Sequence, residues 1–573
     1  MPAVDWFILG FYLLGTAMVG VFVGKFVRNS SDMFTASGTS PWWASGLSAF
    51  MTMFSANTFV VWGSIAFEVG FVAISINLMY GLAALCAGYF VAGRWKAMGV
   101  ETPAEYIRIR FGVGALHFYT WSMMVLRVIG TAAALYALAK ILVALMPLED
   151  GNPLRDPETG TLSLRWAILV FGTIVVLYTM IGGLWAVLMT DVLQFIILNL
   201  AVLFVVPLAL GQVGGIGGFI SQAPEGFFEV VKEDKYTLFF LGGWAAIHFF
   251  MIGAEWAFVQ RYLCVPTQRD ARKATYLFGV LYLFSPILWL LPPMVYRITD
   301  PSADAEQAYI LACRSVLPVG MVGLMLAAMF SATASMVSSQ LNVFSGVLTN
   351  DIYRPLTKSS SPQSLLRAGR VFTILLGALI VWIALEIERW GQVKDLIISI
   401  TELMVVPLLA PALWGIFSRK IRGAAIWVTG LSGFLLGLII RFGFGEGGML
   451  AGFEGLNTWV VGHGDLLKTL LGVVYPVVVL SVFELAGRGE APGWIALEGM
   501  KRAAVSDRDT PEAQSNPVAA RIVAVCLAVC CAVTLGLIPF NDHSRGILCV
   551  FAAILFLISG TIFHLSRKSP IVR

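Results

Sequence analysis

The residues with the most chemical promise are three serines in the stretch SATASMVSSQLN, from Ser331 to Asn342. Ser335, Ser338 and Ser339 follow an i, i+3, i+4 spacing, which on a helix brings all three hydroxyls to one face. Neutral hydroxyl oxygens are poor partners for a soft metal and good ones for a small hard cation. Serines so placed in an apolar helix also bond back to the preceding turn or act as small packing residues. Three further features need explanation in the same apolar setting. Arg127 lies well inside SMMVLRVIGTAAALYALA, where an unpaired guanidinium would be costly. His248 is a lone histidine in an apolar run. Glu255 lies in the inner half of the seventh apolar run, near Arg261, and the two are a candidate inner-gate ion pair.

These residues must be carried by membrane helices. The 573-residue chain is 58% hydrophobic and 13% charged, about half the charged share of a soluble domain. Fifteen runs have helix-spanning length, at roughly 5–26, 42–66, 70–95, 115–146, 165–184, 186–212, 237–260, 275–298, 312–348, 369–387, 392–417, 423–442, 466–486, 519–539 and 545–566. The fold class is therefore an all-α polytopic membrane protein. Lys and Arg follow alternate spans: Lys25 and Arg28, then Arg94, Lys96, Arg108 and Arg110, then Arg269, Arg272 and Lys273, then Arg354 and Lys358, then Arg419, Lys420 and Arg422. A cytoplasmic side for these loops leaves the N-terminus outside and the C-terminus, SRKSPIVR, inside. The polar segment 487–518 reads as a cytoplasmic linker with one amphipathic helix. The seven cysteines form no CxxC or Cys/His cluster and read as packing residues.

Two spans are interrupted. In the second, Ser48, Thr52, Ser55, Asn57 and Thr58 crowd the middle; in the seventh, Gly253 separates two half-length pieces. Unwound backbone at membrane depth belongs beside a cavity or within protein. Spans 2–6 and 7–11 each open on a broken helix. Five is odd, so the second group enters the membrane inverted, as in transporters built from inverted repeats.

Four motifs in order then resemble the sodium:solute symporter family: ETPAEYIRIRFG (101–112), TMIGGLWAVLMTDVLQ (179–194), SATASMVSSQLN and FSRKIRGA (417–424). The resemblance implies a LeuT-type 5+5 inverted-repeat core. Residues 1–34 would hold an extra helix, 35–220 the first repeat, 221–420 the second, and 421–573 four further helices with the linker. It implies a sodium site made by the backbone carbonyls of Met51 and Phe54 with the hydroxyls of Ser335, Ser338 and Ser339. A second sodium site, found in some members, would draw on Asp191, Ser338 and Asn342; here Leu341 and Asn342 stand where those members carry hydroxyls. The implied solute positions are Ser55, Asn57, Thr58, Asn77, Tyr80, Arg127, His248 and Tyr282. Sugar-carrying members place Glu, Asn and Lys where this chain has Asn77, His248 and Tyr282, which disfavours glucose or galactose. Sialic acid-carrying members are similar at Arg127, where guanidinium suits a carboxylate.

The functional expectation is sodium-coupled symport of a small organic solute across the cell membrane by alternating access, with a sialic acid or other organic acid as candidate solute. A neutral sugar or amino acid is the alternative. A membrane sensor or cation channel is the alternative of another class, though nothing resembles a ring-built filter and the tail after the last span is short. No motif points to an enzyme, to nucleic acid or to an obligate protein partner; the implied partners are sodium, the solute and the lipid bilayer.

Overall fold

The computed structural model describes residues 2–24, 38–179, 184–233, 236–357, 362–390, 398, 401–445, 448–506, 517–541 and 545–567. Residues 180–183 of the 179–194 motif, and parts of the 358–364 loop and the 487–518 linker, lie outside them.

Among the described residues the named elements are helices, and each expected span carries one or more of them, the two interrupted spans being divided between two helices each. In chain order they are α1 (Ala3–Gly24), α2 (Trp42–Thr52), α3 (Gly63–Val69), α4 (Val72–Ala97), α5 (Pro103–Phe111), α6 (Val113–Val143), α7 (Leu164–Thr179) and α8 (Leu184–Gln212). There follow α9 (Leu238–Ala254), α10 (Trp256–Leu263), α11 (Gln268–Thr299), α12 (Met321–Val347), α13 (Pro362–Glu386), α14 (Val406–Trp414) and α15 (Ser432–Gly443). The last are α16 (Tyr475–Ala486), α17 (Pro492–Ser506), α18 (Pro517–Gly536) and α19 (Arg545–Arg567). Nine single helices among the described residues are long and apolar enough to cross a membrane, and α9 with α10 makes a tenth as a pair bent by 52°. The others are shorter or interrupted. The expected 312–348 span begins with a separate short helix, Ala308–Val316, before α12 starts at Met321.

Both expected breaks are present, one of them displaced. α2 stops at Thr52, and helix resumes only after Ser55, first as wide turns over Thr58–Trp62 and then as α3. Local polar side chains compete with the helix there: Thr52 Oγ1 donates to the Ser48 carbonyl at 2.8 Å, and the Asn57 N–H donates to Ser55 Oγ at 3.3 Å. In the seventh span the break falls at Glu255, not at Gly253. Glu255 has extended backbone (φ −67°, ψ 135°), whereas Gly253 stays inside α9. The role of Gly253 is close packing: a Cβ there would lie 3.1 Å from Leu413 Cδ1, and its carbonyl accepts the Trp95 indole N–H at 2.7 Å.

The serine helix α12 is the core of the bundle, buried over 94% of its most apolar window. α1, α6, α7 and α8 pack around it, and α2 lies across α8, α10 and α11. α1 is pinned to the start of α12 by Asp5. This 1%-exposed carboxylate accepts the backbone N–H groups of Gly320 (2.7 Å) and Gly323 (2.9 Å). Those are orphan donors of a helix N-terminus, where negative charge is favoured. Gly323 permits the approach, since a Cβ would meet the Asp5 carbonyl oxygen at 2.2 Å. On the basic-loop side, Arg110 of α5 donates to the carbonyls of Gly415, Ser418 and Ile421 at 3.2, 2.9 and 2.9 Å. The linker helix α17, expected from the 487–518 segment, packs on α5.

Candidate functional site

The first broken span and the serine helix meet at the break. The Ala56 N–H, freed by the unwound turn, donates to Thr333 Oγ1 at 3.0 Å, and that hydroxyl donates to the Met329 carbonyl at 2.9 Å. Met51, Phe54, Ser335, Ser338 and Ser339 are all buried around this junction. Their polar atoms are oriented as follows. The Met51 carbonyl accepts the Phe54 N–H at 3.1 Å. Ser335 donates its hydroxyl to Asp191 Oδ1 at 2.5 Å, and Ser338 donates back to the Ser335 carbonyl at 3.0 Å. A hydroxyl whose hydrogen is given away keeps its lone pairs for another partner, so these bonds leave the serine oxygens competent to hold a cation. Back-bonding within the helix and cation binding are thus compatible for Ser338.

Asp191 closes a buried polar hub. Its Oδ2 accepts the Ser48 hydroxyl at 2.6 Å and lies 3.9 Å from Arg261 Nη2. Arg261 Nε donates to Ser48 Oγ at 3.2 Å, and Nη1 donates to the Ala257 carbonyl at 2.8 Å. Asp191 and Arg261 are both almost fully buried, their side chains 2% exposed. One carboxylate therefore ties α2, α8, α10 and α12 together. Asp191 engages Ser335 and Ser48, where the resemblance paired it with Ser338 and Asn342. Asn342 is partly buried a turn further along α12, and its carbonyl accepts the Ser345 hydroxyl. Nearby, Gln194 donates to Ser331 at 2.5 Å.

Beside this junction lies a cavity of about 160 Å³ between the two breaks. Five of the eight anticipated solute positions line it: Ser55, Asn57, Tyr80, Arg127 and His248. Thr58, Asn77 and Tyr282 stand behind its wall. Thr58 Oγ1 accepts the Ser55 N–H at 3.4 Å, and Asn77 donates to the Ala73 carbonyl of its own helix at 2.9 Å. Tyr282 packs between Phe50 and Tyr80, with ring centroids 4.9 and 5.4 Å away. Its hydrophobic company explains why it is buried rather than presented. His248 Nδ1 lies 2.8 Å from the Trp244 carbonyl, so that nitrogen carries the proton and Nε2 is left as an acceptor. The ring packs edge-on against Tyr80 and tilted against Trp244, centroids 4.0 and 4.6 Å away.

Arg127 and Glu255 form the cavity's charged wall. Arg127 Nη2 lies 2.6 Å from Glu255 Oε2, and Gln340 Nε2 donates to Glu255 Oε1 at 3.4 Å. The expected Glu255–Arg261 pair is replaced by two separate ones, because Glu255 sits at the break and turns toward α6 while Arg261 turns toward α8. Four buried polar atoms of the lining, Asn57 Oδ1, Arg127 Nε, Trp244 Nε1 and Glu255 Oε2, have no hydrogen-bond partner among the described residues, Glu255 Oε2 being held by its ion pair with Arg127. Buried polar groups are rarely left so, and the residues that carry these atoms line the cavity. Gln340, Trp62 and Trp244 also line the cavity. They escaped the sequence reading, though Gln340 adjoins Ser339 and Trp244 lies one turn before His248.

Comparison with known proteins agrees with this architecture. Residues 33–433 match the model of the sodium:solute symporter family. The sodium/sialic acid symporter NanT of Aliivibrio fischeri (strain ATCC 700601 / ES114) is 28% identical over 440 residues, covering 72% of this chain and 82% of its own length. Sodium/glucose cotransporter 1 of Ovis aries is 26% identical over 533 residues, covering 84% and 78%. The solved structure of the substrate-bound outward-open state of a Na+-coupled sialic acid symporter superposes with a TM-score of 0.69 at 20% identity, covering 86% of this chain and 99% of that one; this likeness speaks to the fold.

Proposed function

Because the chain belongs to the sodium:solute symporter family, we propose that its solute is a small carboxylate-bearing organic molecule, held in the cavity by Arg127. The chain is a multi-pass membrane protein and a sodium-coupled symporter, not an enzyme. The observation that carries the solute reading is the geometry of Arg127. Glu255 engages Nη2, and the Arg127 side chain, 20% exposed, borders the cavity. A guanidinium has five N–H donors, so a solute carboxylate can bond to those that Glu255 leaves. A neutral sugar or amino acid is the second reading, favoured by the cancelling charges of Arg127 and Glu255.

For sodium, the proposed ligands are the carbonyls of Met51 and Phe54 and the hydroxyls of Ser335, Ser338 and Ser339. Bound there, the ion would hold the first broken span against α12. A state with sodium in place and the solute cavity formed would then gain by the same contacts, which is the coupling that a symporter requires. Asp191, with Ser338 and Asn342 of α12, is the proposed locus of any second sodium. We further read residues 35–220 and 221–420 as the two inverted repeats, within fifteen crossings running from an outside N-terminus to an inside C-terminus.

Uptake into proteoliposomes tests the solute assignment. An inward sodium gradient, but not a potassium gradient, should drive uptake of an acidic solute in the wild type, and Arg127→Ala should abolish it. Sodium-driven uptake of that solute at an unchanged half-saturating concentration in Arg127→Ala would refute the role given to Arg127.

A further inference from the structure

The proposed solute cavity carries its own pair of opposite charges, and this restricts what can enter it. Arg127 Nη2 and Glu255 Oε2 are 2.6 Å apart, with side chains 20% and 5% exposed, and both line the cavity. The other groups facing Glu255 are Gln340, at 3.4 Å, and more distantly Arg261 and Tyr262 of its own broken span. Arg261 is committed to Asp191 and Ser48. Glu255 therefore depends on Arg127 for its counter-charge.

Consider an anion that takes the guanidinium from Glu255. It leaves a buried carboxylate with one long amide contact, and breaking one side of a buried pair is strongly unfavourable. An anion that shares the guanidinium puts two carboxylates against one cation at low dielectric. A cation that takes Glu255 leaves the mirror problem at Arg127. A zwitterion avoids both. Its carboxylate satisfies Arg127, its positive nitrogen satisfies Glu255, and the net charge of the cavity is unchanged. The rest of the lining suits the positive end. Trp62, Tyr80 and Trp244 border the same space with mutually inclined rings, their centroids 5.8 to 6.2 Å apart, and aromatic surface attracts a neighbouring cation.

We infer that the solute is a zwitterion, a small molecule with a carboxylate and a cationic nitrogen close together, which binds by exchanging one for one with the Arg127–Glu255 ion pair. This rests on the reading that Arg127 holds a carboxylate in this cavity, and it makes Glu255 the residue that sets specificity.

The test is thermal stabilisation of the purified full-length protein in sodium chloride. The probes are the amino acids with uncharged side chains and glycine betaine as zwitterions, N-acetyl derivatives of the same amino acids and N-acetylneuraminate as anions, and glucose and galactose as neutral solutes. The inference expects sodium-dependent stabilisation by at least one zwitterion, and at least tenfold weaker action by its N-acetyl counterpart. Glu255→Gln should weaken the zwitterion at least tenfold and strengthen the N-acetyl anion at least tenfold, a gain that misfolding could not produce. The wild-type comparison decides the matter alone if that variant does not fold. Stabilisation by N-acetylneuraminate or another anion but by no zwitterion, lost in Arg127→Ala, overturns the inference and leaves the carboxylate reading standing. Stabilisation by sugars alone overturns both. The absence of stabilisation by any zwitterion overturns the inference.

Discussion

Asp191→Asn is the perturbation that most directly probes how the bundle is held together. In the wild type the Asp191 carboxylate accepts hydroxyls from Ser335 at 2.5 Å and Ser48 at 2.6 Å, with Arg261 Nη2 at 3.9 Å. The asparagine keeps the shape and loses the charge. It leaves Arg261, itself 1% exposed, as an uncompensated buried cation. Removing one partner of a buried pair costs about 3–5 kcal/mol. The amide also has one acceptor oxygen for two hydroxyl donors, which forfeits about 1 kcal/mol of hydrogen bonding. Arg261→Gln should cost a similar amount, since it strands the carboxylate. The double variant removes both charges, so its loss should fall short of the sum of the singles by about 2–3 kcal/mol. Thermal unfolding of the detergent-purified proteins in potassium chloride, without sodium, reads this without interference from ion binding. The double variant should unfold clearly above the midpoint expected from adding the two single losses. Midpoint losses that simply add in the double variant would refute charge pairing as the reason these helices meet.

Three further outcomes are expected. Ser339→Ala should weaken sodium activation of uptake by about 1–3 kcal/mol, roughly a five- to 150-fold rise in the sodium needed for half-maximal rate; an unmoved sodium curve would remove Ser339 from the site. Asp5→Ala should strip the start of α12 of its acceptor and destabilise the protein by about 1–2 kcal/mol, seen as a lower unfolding midpoint with sodium present or absent. Gly323→Ala should also lower that midpoint, because the added Cβ would meet backbone rather than a yielding side chain; a midpoint equal to the wild type would show that α1 shifts freely.

The spans were legible in the sequence because crossing a bilayer demands long apolar runs with internally satisfied backbone, and such runs advertise themselves. The serine face of α12 was legible for the same kind of reason, since i, i+3, i+4 spacing is a property of one helix alone. The site of the first break was announced by its crowd of Ser, Thr and Asn. The second break was misplaced by two residues: Gly253 looked like a hinge but serves close packing against Leu413, while Glu255 carries the extended backbone. Partner choice lay beyond the sequence. Glu255 and Arg261 are near neighbours in the chain, yet six residues turn a helix by about 240° net, and the 52° bend separates them further. Arg127 and Asp191 win these partners from 128 and 70 residues away by chain number, because α6 and α8 are packed where each charge emerges. Likewise Asn77 and Tyr282 were reasonable solute ligands by position, but helix rotation points one at its own backbone and the other into an aromatic core. Composition and periodicity determined which segments enter the membrane and where they break. Only the packing of distant helices decided which buried charges meet, since an ion pair depends on the distance between two side-chain tips, and no local pattern encodes that.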